Sequence, residues 1–113
     1  MSDSALHQIM ILKEIVLLTL NKQMIPLELQ IDGTPIKDKE KLKEFEEELK
    51  EIKKEFVTIY DQLWATCQSQ GLYVQTTRSF KFGVLHEVSL DILPIPADGN
   101  YPKEYAIVSD KEF

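Results

Sequence analysis

Cysteine, arginine, histidine and glycine are all scarce in this chain, and each scarcity removes a class of function. The single cysteine, Cys67, excludes an intrachain disulfide framework and fits a reducing compartment. Arg78 is the only arginine, so bidentate reading of phosphate or guanine has one candidate side chain at most. Glycines 33, 71, 83 and 99 are too scattered to build a phosphate loop. Two histidines, His7 and His86, together with one cysteine make no zinc spacing, and no cofactor motif is present. Long apolar runs are missing as well. Lys13 and Glu14 split the N-terminal one, leaving pieces far short of the ~20 residues a membrane helix needs. Asp3 stands where a secretory leader is basic, so no leader is expected, and the chain reads as cytoplasmic.

What is present is ordinary globular material. The 113 residues are 43% hydrophobic and 28% charged, which fits one domain with its own core, residues 1–113. The formal charge is −6. Residues 37–55 nearly cancel, with eight acids against seven lysines. From Glu87 onward six acids face only Lys103 and Lys111, making that end the negative pole. Such a surface repels nucleic acid and anionic membranes, so neither is expected as a direct partner.

Four segments follow from the patterning. Residues 4–22 read as a helix with Ile9, Leu12, Val16 and Leu20 on one face. Met10, Ile11, Ile15, Leu17 and Leu18 cover most of the rest. A helix this apolar all round is buried from more than one side. Residues 27–32 alternate Leu27, Leu29 and Ile31 with Glu28, Gln30 and Asp32, the period of a half-buried strand, and Pro26 places it at an edge. Residues 38–69 carry Leu42, Phe45, Leu49, Ile52, Phe56, Ile59 and Leu63 at alternating spacings of three and four, a heptad seam ended by Gly71. A helix of that length outruns a compact domain of this size, so its first turns should project or pair with another copy. Residues 72–77, 80–93 and 105–109 read as strands, with a bulge or second turn at Gly83 and a Pro-rich loop over 94–103.

Candidate chemistry is thin. Cys67 lies near a helix C-terminus, where the dipole disfavours a thiolate, and reads as a core residue. His86 and Glu87 are adjacent on a strand and should point to opposite faces. Glu87 and Asp91 share a face, but at ~13 Å by strand rise they stand too far apart for a hydrolytic pair. Thr76, Thr77 and Ser79 around Arg78 read as a polar strand end.

The expected fold is therefore α+β: two helices, the second long and heptad-patterned, packed with an antiparallel sheet of three to five strands. The leading functional expectation is a non-enzymatic assembly or regulatory subunit, homodimeric, that also engages another protein. Its interface is expected at Ile9, Leu12, Val16, Leu42, Phe45, Leu49 and Ile52, with Phe56, Tyr60 and Trp64 as intradomain core. Phenylalanine within the seam favours a bundle-type contact over a coiled-coil rod. Two other classes remain open. One is a small-molecule domain or modest enzyme with a pocket lined by Trp64, Tyr73, Arg78 and His86. The other is an acidic inhibitor of a nucleic-acid-binding protein, using the C-terminal carboxylates.

Overall fold

The computed structural model describes residues 3–101. Their order is α1 (Asp3–Leu18), a π-helical turn (Thr19–Met24), α2 (Ile25–Gly33), α3 (Lys39–Ser69), β1 (Leu72–Lys81) and β2 (Val84–Pro94). The architecture is α+β, with helices covering one face of an antiparallel two-stranded sheet. Of the three to five strands expected, two lie among the described residues; the expected strand at 105–109 lies outside them.

The first helical arm is longer than its sequence suggests. α1, the π turn and α2 follow one another without a break, so residues 27–32 are helical rather than an edge strand. Pro26 explains the wide turn. Its ring offers no N–H and crowds the carbonyl four residues back. In the π register the Ile25 N–H reaches the Leu20 carbonyl instead, five residues back, which absorbs the proline without breaking the rod. Leu27 is buried and Ile31 half-buried on the inward face, while Leu29 points out. The alternating pattern was thus a coincidence of one helical face crossing a short window. The arm ends where Thr34 precedes Pro35: that position avoids helical ψ, and Thr34 is extended at ψ 131°. Its hydroxyl donates to the Gln30 carbonyl at 2.7 Å, taking up an orphan acceptor of the last turn.

α3 then returns along the first arm as the second half of a helical hairpin. Its 31 residues rise about 46 Å, close to the 53 Å long axis of the molecule. The heptad seam faces inward, with Leu49, Phe56 and Leu63 buried and Leu42, Phe45, Ile52 and Ile59 half-buried. The upper seam is covered by α2, the segment expected as a strand, and Lys53 reaches Glu28 across the helices at 3.5 Å. Gly71 ends α3 as expected, at φ 74°.

The hairpin closes the other side of the core. Its inward face carries Val74, Val88 and Leu90, all buried, while Gln75, Thr77, Glu87, Ser89 and Asp91 face solvent. Asn21, in the π turn, fastens this sheet to the helices. Its side-chain amide donates to the Val88 carbonyl and accepts from the Val88 N–H, both at 2.9 Å. Those two groups must therefore point away from β1, so Arg78 and Val88 form a non-hydrogen-bonded pair in the register. The bond from Ile95 N–H to the Gly71 carbonyl, two pairs beyond Tyr73 and Leu93 in odd numbering, keeps the same parity.

The strand expected over 80–93 is split by a two-residue turn. Phe82 and Gly83 both have positive φ, 53° and 76°, as a type I′ turn requires. The bulge falls elsewhere: between Ser79 and Phe80 the register slips by one, leaving His86 as the extra residue on β2. Phenylalanine is a poor occupant of the left-handed region, where glycine or asparagine serves better.

Two stability measurements check this account. Phe82→Asn is expected to relieve strain of about 1 kcal/mol and raise the melting temperature by about 4–6 °C. Asn21→Ala is expected to cost about 1–3 kcal/mol in chemical denaturation and to speed amide exchange at Val88. Unchanged exchange there contradicts the clamp.

Candidate functional site

The core takes the residues expected at the assembly interface. Ile9, Leu12, Val16 and Leu49 are buried within the single chain, Phe45 and Ile52 are half-buried against the same cluster, and Leu42 is half-buried beyond it. The reason is the helical course of residues 25–33, which brings a second apolar surface against α3 that a short edge strand could not supply. Phe56, Tyr60 and Trp64 are core, as expected. They form an aromatic column: Phe56 stacks on Tyr60 at 5.3 Å, Tyr60 meets Trp64 edge-on at 6.4 Å, and Trp64 stacks on Tyr101 at 6.3 Å. Gln68 donates to the Tyr101 hydroxyl at 3.1 Å.

The four residues of the expected ligand pocket fall in different settings. Tyr73 joins the column through Tyr101 at 5.0 Å, so Trp64 and Tyr73 are linked but by a ring between them. Arg78 is half-buried on the inward strand face, opposite Val88. His86, displaced by the bulge, lines a cleft between the first arm and β2 with Glu14, Leu17, Asn21, Lys22 and Glu87. His86 is the extra residue of the bulge, so it stands outside the regular pairing in which Glu87 faces Ser79. Among the described residues no three His, Cys, Asp or Glu side chains are placed to hold a metal. The cleft holds no nucleophile: its side chains are two carboxylates, an imidazole, an ammonium, an amide and leucines.

Cys67 is fully buried, and desolvation pushes its thiol up to about 11. A thiol so far above neutral pH stays protonated and is a poor nucleophile.

Among the described residues, three uncovered surfaces bear on function. The outer side of α1, opposite Ile9, Leu12 and Val16, presents Met10 at 62%, Ile11 at 47%, Ile15 at 38% and Leu18 at 48% exposure. Ile11, Ile15 and Leu18 are spaced four and three apart and share one stripe. The hairpin tip raises Phe82, 95% exposed, with Phe80 and Val84 beside it. On α3, Leu49 and Val57 floor a groove of about 650 Å³ walled by Lys50, Lys53 and Lys54. The α1 stripe was visible in the sequence as a helix apolar all round; which half of it faces out was not. The tip was hidden because Phe82 sits in a place that turn preferences assign to other residues.

No helix among the described residues is long and apolar enough to cross a membrane. No family model matches the chain, and neither a curated protein nor a solved structure matches it.

The thiol supplies the prediction of this geometry. In native buffer at pH 7–8, Cys67 is expected to resist a thiol reagent and to react at once in denaturant, one equivalent per chain. Because its folded pKa is raised, the stability it contributes is present below the ordinary thiol pKa of 9.0 and declines as pH climbs from there toward 11. Fast labelling of the folded protein at neutral pH contradicts this.

Proposed function

We propose that this chain is a non-enzymatic assembly or regulatory subunit of the cytoplasm, acting as a homo-oligomer and engaging a further protein. The outer stripe of α1 carries the reading. A helix in a small monomer ordinarily turns a polar face to water, yet here the uncovered side bears Met10, Ile11, Ile15 and Leu18. Contiguous apolar surface of that kind marks interaction sites. The cleft that adjoins Leu18 gathers Glu14, Lys22, His86 and Glu87 but no nucleophile, and the Cys67 thiol is sealed and protonated.

A second copy fits the stripe. In an antiparallel two-fold pair of α1 helices, each Ile11 meets the other chain's Leu18, and Ile15 lies beside the axis. Such a contact is isologous, so it closes as a dimer rather than growing into a fibre. It leaves the α3 groove and the hairpin tip available to other chains.

Light scattering over a wide concentration range tests the reading. The expected mass is at least twice that of the single chain. Ile11→Glu combined with Ile15→Glu is expected to weaken association at least tenfold while leaving the circular dichroism of the monomer unchanged, because both side chains lie at the surface outside the buried core. A compact lone chain at every concentration overturns the homo-oligomer.

A further inference from the structure

The α3 groove is basic on a chain that is acidic overall. The chain carries −6 overall, yet three ammonium groups, Lys50, Lys53 and Lys54, wall a floor of Leu49 and Val57, with only Glu46 at one end. Glu46, Lys50, Lys53 and Val57 follow spacings of four, three and four, so they form a stripe one step around the helix from the buried seam. A stripe with that period receives side chains from a neighbouring helix lying alongside.

We propose that this groove docks an acidic amphipathic helix of another protein, its apolar edge on Leu49 and Val57 and its carboxylates against the lysines. The inference rests on the interaction-subunit reading but uses a different face. Charge complementarity selects the occupant. Lys53 is already held to Glu28 at 3.5 Å, and Lys54 stands 3.4 Å from Glu51 on an exposed surface. Lys50 has no ion-pair partner among the described residues, so an incoming carboxylate meets one uncommitted ammonium flanked by two shared ones. A second copy offering the same stripe sets lysines against lysines, which like-charge repulsion disfavours. A nucleic-acid backbone would satisfy the ammonium groups but leave Val57, 38% exposed, uncovered. An amphipathic helix meets both requirements, in the manner of helix-in-groove recognition.

The test uses the full chain and a synthetic helical peptide of three heptads, with leucine at the a and d positions, glutamate at e and g, and alanine elsewhere. A twin peptide carries lysine in place of each glutamate. The acidic peptide is expected to shift the methyl resonances of Leu49 and Val57 and to bind less tightly as salt rises. Lys50→Glu with Lys54→Glu is expected to weaken it at least tenfold without changing the melting temperature, and Val57→Asp to do the same. The lysine twin is expected not to bind. Equal binding of both peptides, shifts confined to other residues, or no shift at millimolar peptide overturns the proposal. So does loss of self-association in the lysine double variant, which assigns the groove to a second copy. Repeating the titration on the Ile11→Glu, Ile15→Glu protein separates the two readings. Peptide binding by a monomer upholds the groove and not the dimer; a dimer blind to the peptide does the reverse.

Discussion

The structure depends on burying one long face of α3. Leu49, Phe56, Tyr60, Leu63, Trp64 and Cys67 come from that helix alone, and they are shared among several neighbours, the first arm and the hairpin. Their burial removes several side chains' worth of apolar area from water, each contributing about 1.5–3 kcal/mol. The first helical arm must therefore run nearly the full length of α3, and the hairpin must close the side near Trp64. The π turn is the device that lets the arm do so. It carries the chain past Pro26 without a break and turns Asn21 toward the sheet.

That geometry separates the two sides of α1. Once Ile9, Leu12 and Val16 are committed to α3, the remaining apolar residues of the helix have nowhere inside the chain to go. The same logic divides α3. Its seam is taken by the first arm, and the next stripe around, from Glu46 to Val57, is left with a floor of aliphatic carbons and a wall of lysines. Two uncovered faces of opposite character, one aliphatic and one basic around an apolar floor, are suited to partners of different chemistry.

The hairpin makes a complementary point about strain. A two-stranded ribbon is marginal on its own; this one is held by its inward valines and leucine and by Asn21. Phe82 at positive φ acts against it, because a bulky side chain in that conformation costs energy that asparagine or glycine would not. Its ring gains no burial in return.

Much of the fold was legible in the residues themselves. The bounds of α3, the period of its seam, the Gly71 stop and the alternation of Val88, Leu90 and Ile92 all follow from local periodicity and backbone preference, which act within a few residues. The course of residues 25–33 was not. Leu27, Leu29 and Ile31 satisfy a strand's period, and only the longer series Leu20, Met24, Leu27 and Ile31, at spacings of four, three and four, continues the helix across Pro26. Nor could the sequence divide the apolar residues of α1 between core and surface, or show that Phe82 forms a turn. Sequence by itself determined which segments are apolar and with what period, because side-chain pattern and propensity are local properties. Only the tertiary structure decided which apolar face is spent inside and which is left for others, because that choice is made by a neighbour distant in the chain.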